Sequence, residues 1–341
     1  VVSCRLLRVR AHKAALHSSE IGQRSRSGVK TLTAPHIGTD RMLRARLVSG
    51  ALLLSSRAAS ASTNACFDKF CDYRLLEKES QGASGSQLLT FELPAGDTLG
   101  GLGVESAPTS VYAQHPKNAS VQKSYSPVSG ADEVGSFQLL VKPYAPRPGG
   151  GLGSALCALE PGDSASLRVK PVRVMHGATG VVGRWKEIGL VAGGTGIAPL
   201  FQVLRHVLPE TKVSLLYSSR GDDDVLMRDE IDALAAAHPG ALRVRHTITD
   251  ASAEACSADA AGGAMDVARG RITLDLVRSS LPVPGDGVMV FVCGTDGFVD
   301  ALAGPIARVV DEATGKKKKV QGPLGGLLRE AGFSEEMVYK F

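Results

Sequence analysis

The feature that most constrains the fold of this chain is an apolar run that ends in a glycine loop and opens directly into a helix. The run covers residues 188–192, and the loop at 193–199 reads Gly-Gly-Thr-Gly-Ile-Ala-Pro. Apolar residues then recur at i, i+3, i+4, i+7 and i+8 from Leu200, which gives one apolar helix face. Since an uninterrupted apolar strand is buried on both faces, the pattern predicts a parallel strand covered by helices.

The same alternation of strand and helix continues to the end of the chain. The predicted strands are 213–217, 242–249 and 288–292, and the predicted helices are 225–236, 273–281 and 297–312. This order indicates a doubly wound parallel α/β sheet within residues 183–341, in which ligands bind beyond the carboxyl ends of the strands. Two loops follow such ends, at 193–199 and 293–298. The first is typical of a phosphate loop, whereas Cys293 in the second could equally be a small core residue.

Residues 67–182 have a different pattern, made of short extended segments separated by Gly, Pro and Asp. The predicted strands are 88–93, 109–113, 121–125, 137–141 and 166–169, and one helix is predicted at 154–159. Strands at this spacing favour an antiparallel barrel or sandwich over βαβ units. We therefore expect two domains, an antiparallel β domain at 67–182 and an α/β domain at 183–341.

Two features of the first half could carry chemistry. The segment 123–129, Lys-Ser-Tyr-Ser-Pro-Val-Ser, places a cation, a phenol and hydroxyls at a strand end, although such a segment can equally be only a turn. The glycine run 149–151 precedes Ser154 and a predicted helix, so its amides could hold a phosphate. A glycine-rich surface loop is the alternative for this second feature.

The charge of the chain is unevenly distributed, which removes the argument for a nucleic-acid partner. The whole chain has 39 basic and 34 acidic residues, a net charge of +5, but 11 basic and only 2 acidic residues fall within 1–66. The remaining residues therefore carry a net charge of −4. A mildly acidic body is not the electrostatic footprint of a nucleic-acid-binding protein.

Residues 1–66 have the composition of a targeting leader. They are rich in Arg, Ser, Ala and Leu, and Met42 opens a cationic segment with an apolar stretch of at most eight residues. We expect a mitochondrial transit peptide, with Met42 as a possible true start; a secretory signal and a disordered tail are the alternatives. A membrane span needs about 20 apolar residues, so none is expected.

No metal site is predicted. The eight histidines and six cysteines are scattered, without the pairs at short spacing that zinc ligands require. The cysteine spacing also lacks the density of a disulfide scaffold.

The order of these motifs resembles the flavin reductases of the ferredoxin-NADP reductase superfamily, and within it the NADH-cytochrome b5 reductase family. The resemblance covers about residues 91–341, and the closing stretch 327–341, which ends in Tyr-Lys-Phe, resembles the mitochondrial branch. It implies an FAD-binding antiparallel Greek-key β-barrel followed by an NAD-binding α/β domain with a doubly wound parallel sheet. It also implies hydride transfer from NADH to FAD and single-electron transfer to a heme protein such as cytochrome b5, by a monomer in mitochondria.

The resemblance implies a role for each motif residue. Tyr125, Ser126 and Cys293 would be catalytic, with Tyr125 and Ser126 against the flavin and Cys293 beside the nicotinamide. The remaining implied contacts to FAD are Lys123, Ser129, Lys142, Gly150, Gly151 and Ser154, and those to the nicotinamide nucleotide are Gly193, Gly194, Thr195, Gly196, Pro199 and Gly294. Lys123 stands where the family usually has arginine. The point charge of an ammonium group thus replaces the planar fork of a guanidinium group.

Several functional alternatives stay open at this point. The acceptor could be a quinone or an iron-sulfur protein, or the chain could be a non-catalytic structural subunit. NADPH is not excluded, because either Thr249 or Asp250 could occupy the place that selects NADH; only the carboxylate would repel a 2′-phosphate. The four lysines at 316–319 could bind an acidic partner or form a solvated loop.

Overall fold

The computed structural model describes most of the chain beyond the leader. The described residues are 69–99, 109–130, 132–144, 151–170, 175–176, 180–250, 266–310, 312, 315 and 317–341. All of them belong to one compact unit, Ala59–Phe341. The leader predicted at 1–66, Met42, Gly150 and Lys316 lie outside the described residues.

Six antiparallel strands form the first sheet. They are β1 Cys71–Gln81, β2 Ser86–Glu92, β3 Val111–His115, β4 Asn118–Tyr125, β5 Ser136–Val141 and β6 Ser164–Val169. Their order is β4-β3-β6-β1-β2-β5, and a bridge between Pro127 and Leu139 brings the two outer strands together. The predicted antiparallel barrel is confirmed, with β6 returning between β3 and β1 as a Greek key requires.

The sequence pattern did not indicate β1. Only Tyr73 and Leu75 of its eleven residues are buried, and the rest are mostly charged or polar. Tyr73 packs edge-on against Phe137, which stacks on Phe91, at centroid distances of 5.6 Å. β1 is therefore stabilised by its contacts with neighbouring strands. Its sequence lacks the regular alternation of polar and apolar residues that predicts a strand.

The single helix of this half, α1 at Leu152–Cys157, begins two residues before the predicted position. Leu152 and Leu156 are buried in the core of the first sheet. β6 ends at Val169, well before Glu187, so the predicted domain boundary at 182/183 falls in the connection and stays a prediction.

The second sheet is parallel, as predicted, but it has six strands where the sequence predicted four. Its strands are β7 Glu187–Gly193, β8 Lys212–Ser219, β9 Leu242–Ile248, β10 Asp266–Arg269, β11 Val288–Cys293 and β14 Val338–Lys340, in the order β10-β9-β8-β7-β11-β14. The helices are α2 Ile197–Val207, α3 Arg228–Ala237, α4 Leu274–Ser280, α5 Asp296–Ala303 and α6 Gly326–Glu330. Most buried residues of β7 and α2 belong to the larger hydrophobic core. This confirms the prediction of a buried apolar strand followed by a helix with an apolar face.

The prediction of one helix over 297–312 is wrong. α5 ends at Ala303, because Gly304 has a φ of +76° and Pro305 follows it. The chain instead forms an antiparallel hairpin of β12 Ile306–Val310 and β13 Lys317–Gln321. Lys317, Lys318 and Lys319 therefore lie on a strand, not in the loop that was the alternative for the lysine run.

The C-terminus is fixed by an unusual buried lysine. Lys340, at the end of β14, is 4% exposed, and its ammonium lies 2.9–3.5 Å from five backbone carbonyl oxygens. These oxygens belong to Ala303, Gly304, Pro305, Gly322 and Pro323. Burial lowers the pKa of Lys340. The cage ties β14 to both ends of the β12–β13 hairpin.

Cys71 is disulfide-bonded. Within the described ranges, no helix is long and apolar enough to cross a membrane.

Candidate functional site

A cleft of about 1270 Å³ lies where the first sheet meets the carboxyl ends of the second. The first sheet contributes Tyr125 and Ser126 from the end of β4 and Lys142 from the end of β5. The second contributes the loop after β7, Cys293 at the end of β11 and Gly294 directly after it. The motifs that the sequence placed more than 60 residues apart thus meet in one space.

The loop after β7 closely approaches the end of β11. Gly194–Gly196 form one 3-10 turn between β7 and α2, and Gly194 has a φ of +52°. A Cβ on Gly196 would collide with the Cys293 carbonyl, and one on Gly193 would lie 3.0 Å from the Phe298 ring. The Tyr217 hydroxyl supports the loop by donating to the Gly194 carbonyl at 3.1 Å. Glycine is required here because two backbones meet without room for a side chain.

The opposite wall is formed by the end of β4. Tyr125 is half-buried, and burial raises the pKa of its phenol, so the hydroxyl stays protonated at physiological pH. Lys123, Ser124 and Ser126 also line the cleft. Since alternate strand residues point to opposite faces, Lys123 and Tyr125 share a face.

Three of the sequence-predicted residues lie elsewhere. Ser129 is buried, and its hydroxyl accepts the Gln138 N–H at 3.0 Å. The Ser154 hydroxyl donates to the Tyr144 carbonyl at 2.6 Å, and Gly151 precedes α1. None of these three is among the described residues that line the cleft, so their proposed contacts remain predictions.

The sequence reasoning missed Asp224. This residue lies in a 3-10 turn, Asp222–Asp224, after β8, and its carboxylate pairs with the Lys142 ammonium at 3.5 Å. It also accepts the Ser84 N–H at 3.3 Å. The side chains of Lys142 and Asp224 are 22% and 12% exposed, so the pair links the two sheets inside the cleft. The sequence has three consecutive aspartates at 222–224, and nothing in their pattern indicates which one faces the cleft.

A second contact joins the two sheets on the other side of the cleft. The Gln202 amide, on α2, donates to the Pro127 carbonyl at 2.5 Å, and Arg205 donates to the Val128 carbonyl at 3.4 Å. Pro127 directly follows Ser126. The end of β4 is thereby fixed against the helix that the glycine loop opens.

The cleft is strongly cationic. The basic side chains that line it are Lys123, Lys142, Lys170, Arg220, Lys317, Lys318 and Lys319. Among the described lining residues, the one acidic side chain is that of Asp224, which pairs with Lys142. Within a body of net charge −4, this local excess of positive charge suits an anionic ligand such as a dinucleotide.

Comparisons with known domain families match each half of the chain. Residues 73–172 match an oxidoreductase FAD-binding domain, and residues 190–303 match an oxidoreductase NAD-binding domain. The chain is therefore an oxidoreductase that binds FAD and NAD. The two matches fall on the two sheets that form the cleft.

The fold is shared with solved reductases. The structure of the cytochrome b5 reductase domain of Ulva prolifera nitrate reductase superposes with a TM-score of 0.60 at 21% identity, and the match covers 82% of this chain and 100% of that one.

Whole-length relatives share more of the sequence. NADH-cytochrome b5 reductase 2 of Scheffersomyces stipitis is 31% identical over 80% of this chain and 84% of its own length. The NADH-cytochrome b5 reductase-like protein of Arabidopsis thaliana is 32% identical over 80% of this chain and 77% of its own length. Cleft, domain order and whole-length similarity agree: the chain belongs to the NADH-cytochrome b5 reductase family.

Proposed function

We propose that this protein transfers electrons from NADH through FAD to a heme protein, cytochrome b5 or a close equivalent. The observation that carries the proposal is the meeting, in one cleft, of the Tyr125–Ser126 end of β4 with the 193–196 loop and Cys293. When bound, the cofactors supply the redox chemistry, hydride transfer from the nicotinamide to the flavin and release of single electrons. The protein binds, orients and shields them.

The residues present fit two dinucleotides. The cleft volume of about 1270 Å³ exceeds the range of about 300–1000 Å³ usual for a single small ligand. Its excess of cations offsets the phosphate charges, and the side-chain-free loop at Gly196 lets a pyrophosphate approach the start of α2. α2 is eleven residues long, so its amino end carries a substantial positive dipole.

On the barrel side, Tyr125 and Ser126 would lie against the flavin ring, with the Tyr125 phenol as a neutral donor. Lys123 and Lys142 would face the FAD phosphates and the neighbouring nucleotide as point charges. Gly150, Gly151 and Ser154 would hold the adenosine-side phosphates of FAD, and Ser129 would steady the segment after β4 through its bond to Gln138.

On the α/β side, Gly193, Gly194, Thr195, Gly196 and Pro199 would bind the nicotinamide nucleotide at the start of α2. Cys293 and Gly294 would border the nicotinamide. The close approach of Gly196 to the Cys293 carbonyl fixes the distance between the phosphate loop and this border. Such fixed spacing orients the two rings for transfer, which is the main contribution a protein makes to cofactor chemistry.

The β12–β13 hairpin would form the docking element for the acceptor. It presents three consecutive lysines at the edge of the cleft, and Val309 and Val310 are 45% and 60% exposed beside them. A cationic surface with exposed apolar residues attracts a partner whose surface is acidic. The named relatives are reductases of cytochrome b5, which supports a heme protein as that partner.

We further propose that the protein acts as a monomer in mitochondria. The support for the mitochondrial location is the composition of residues 1–66, with 11 basic and 2 acidic residues, which is the pattern of a transit peptide. Fusing residues 1–66 to a fluorescent protein should direct it to mitochondria, and a fusion that enters the secretory route would refute this part of the proposal.

The test of the function is a reconstitution of the full chain with FAD. The loaded protein should show a flavin absorption spectrum that bleaches on addition of NADH, and it should reduce both ferricyanide and cytochrome b5. If the protein bound no flavin, the proposal would be refuted. A flavoprotein that reduces ferricyanide but not cytochrome b5 would support the oxidoreductase activity and exclude cytochrome b5 as the acceptor.

A further inference from the structure

The ammonium group of Lys340 is enclosed by backbone carbonyl groups from two separate segments of the chain. The five oxygens belong to residues 303–305, at the end of α5, and to residues 322–323, which follow β13. All of them lie within 3.5 Å of Nζ, and the residue is 4% exposed. Carbonyl oxygens only accept hydrogen bonds, so these surroundings suit an ammonium group with its three donors.

The two segments approach each other closely because glycine occupies each point of contact. Gly304 has a φ of +76°, and a Cβ there would lie 2.8 Å from the Pro323 carbonyl oxygen. A Cβ on Gly322 would collide with the Pro305 carbonyl. The ammonium is the donor that the convergent oxygens share. Its removal would leave buried acceptors without that donor and would favour separation of the two segments.

The backbone of Lys340 makes a second connection to the same hairpin. Its N–H donates to Oε1 of the Gln321 side chain at 2.8 Å, and its carbonyl oxygen accepts from Nε2 of the same amide at 2.8 Å. Gln321 is the last residue of β13 and pairs with Ile306, the first residue of β12. Both connections therefore act at the base of the β12–β13 hairpin.

The other polar contacts of the hairpin within the described part of the chain involve exposed side chains. Arg308 and Lys319 pair with Asp296 at 3.4 and 3.9 Å, and the side chains of all three are more than half exposed. Exposed ion pairs contribute little to stability. The Lys340 ammonium and the Gln321 amide are therefore the main polar restraints on the orientation of the hairpin.

Lys340 also belongs to the strand that borders the cleft. It pairs with Val292 of β11 in parallel register, and the next residue, Phe341, donates its N–H to the Val292 carbonyl at 3.0 Å. Phe341 lines the cleft, and its ring lies 5.3 Å from that of Tyr339 and 5.9 Å from that of Phe291. The residue thus connects the hairpin to the edge of the cleft, while Phe341 has contacts of its own that hold it there.

We propose that Lys340 is a positioning residue for electron transfer to the acceptor, because its ammonium group sets the β12–β13 hairpin against the cleft. The inference rests on the proposed function, in which the lysines of this hairpin dock an acidic heme protein. A hairpin without the restraint at its base keeps the charges of residues 317–319 and still attracts the partner. It holds the partner in varying orientations, however, so the rate of transfer within the complex falls while the electrostatic attraction remains.

The kinetic test compares two acceptors on the full FAD-loaded chain at saturating NADH. Lys340→Met keeps an apolar side chain of similar length and removes the ammonium group. We expect kcat for cytochrome b5 to fall about tenfold with its salt dependence preserved, and the rate with ferricyanide, which needs no docking, to change by about twofold or less. Gln321→Ala removes the second connection at an exposed position and should lower kcat for cytochrome b5 severalfold. Lys212→Met removes an exposed lysine at the start of β8 and should change neither rate.

Hydrogen exchange gives a readout that does not depend on the redox reaction. The amides of β12 and β13 should exchange about tenfold faster in Lys340→Met than in the unsubstituted chain, and those of β7 and α2 should not change. In Lys340→Ala, n-propylammonium chloride replaces the missing methylene and ammonium groups. It should restore both the slow exchange and the rate with cytochrome b5, whereas sodium chloride at the same ionic strength should restore neither.

Equal losses with both acceptors, or unchanged exchange of the hairpin amides in Lys340→Met, would overturn the inference while leaving the proposed function in place. If Lys340→Met fails to fold, Gln321→Ala decides, and a rate with cytochrome b5 equal to that of the unsubstituted protein overturns the inference. If the unsubstituted protein reduces ferricyanide but not cytochrome b5, the proposed acceptor and this inference are both overturned.

Discussion

At the scale of single residues, His246 is a buried histidine whose charge state the fold controls. It is 1% exposed, lies 5.8 Å from the Tyr217 ring, and neither ring nitrogen has a partner among the described residues. Burial, with a contribution from nearby Arg228 that Asp222 partly opposes, lowers the pKa of His246 to about 4. The native state therefore excludes a proton that the unfolded chain binds.

This difference predicts a pH-dependent stability. Between pH 6.5 and about 4, the unfolded chain is protonated at His246 and the native state is not, so stability falls as the pH falls, by up to about 3 kcal/mol. His246→Leu should remove this slope and raise stability at pH 7 by about 1 kcal/mol, because two buried nitrogens without partners are lost. Melting temperatures of both proteins at pH 7 and pH 5 measure the effect. If the melting temperature of His246→Leu fell between pH 7 and pH 5 by as much as that of the unsubstituted protein, the prediction would be contradicted.

Gly196 lies where the two halves of the proposed nucleotide site closely approach each other. Gly196→Ala should push the loop away from the Cys293 carbonyl and weaken NAD binding more than tenfold, since a displacement of about 1 Å disturbs cofactor orientation strongly. FAD content should stay unchanged, because the barrel is not involved.

The control for that loop variant is Gly194→Ala. Gly194 has a φ of +52°, but a Cβ there meets nothing within 4 Å, so only backbone strain of about 1 kcal/mol is expected. Fluorescence titration with NAD measures both affinities. A loss of affinity as large at 194 as at 196 would show that strain, rather than the close approach, limits the loop.

At the scale of secondary-structure elements, the β12–β13 hairpin is built to project charge. Its base is held by the Lys340 cage, and Asp296 at the start of α5 pairs with Arg308 at 3.4 Å and with Lys319 at 3.9 Å. Lys317 and Lys318 have no ion pair among the described residues. Their side chains are therefore available to a partner.

Replacing Lys317, Lys318 and Lys319 by Gln should slow reduction of cytochrome b5 about tenfold at low ionic strength and flatten its salt dependence, because steering of an acidic partner is lost. Reduction of a neutral benzoquinone at saturating NADH should not change, because this assay contains no acidic partner and is insensitive to weaker nucleotide binding. The matched control replaces Lys117, Lys186 and Lys212, which are exposed and do not line the cleft. Stopped-flow rates against salt concentration provide the measurement, and equal rates for both triple variants would argue against docking at the hairpin.

At the scale of the whole molecule, the two sheets are locked by the turn between β1 and β2. The Ala83 N–H donates to the Asp223 carbonyl at 2.8 Å, and the Gln81 amide accepts the Met227 N–H at 3.3 Å. Gly82 has a φ of +65°, and a Cβ there would lie 3.0 Å from the Asp224 carboxylate. These contacts of the β1–β2 turn with the turn after β8 place Asp224 against Lys142.

Asp224→Asn should therefore loosen the contact between the sheets. We expect stability to fall by about 2 kcal/mol and KM for NADH to rise severalfold, because the half-buried Lys142 ammonium loses its counter-charge. Asp223→Asn removes the same charge from an exposed side chain and should have little effect. In a Lys142→Met background the KM effect of Asp224→Asn should disappear; additive effects of the two changes would mean that the pair does not act as a unit.

The elements that the sequence predicted are those whose signal is local. β7, the glycine loop and α2 are specified by a short apolar run, four small residues and a helical repeat within residues 187–207. Each depends on neighbours a few positions away, so their pattern is visible without the fold. The order of strands and helices likewise predicted the two-domain architecture and, with its motifs, the family.

The sequence by itself determined the two kinds of sheet, the glycine loop and the family. Only the tertiary structure decided that β1 exists, that the lysines lie on a hairpin, that Asp224 rather than its neighbours faces Lys142, and that Thr249 rather than Asp250 lines the cleft. Each of these depends on contacts between residues far apart in the chain, such as Ser84 with Asp224. Such contacts leave no local pattern, because their energy arises only once the sheets have packed together.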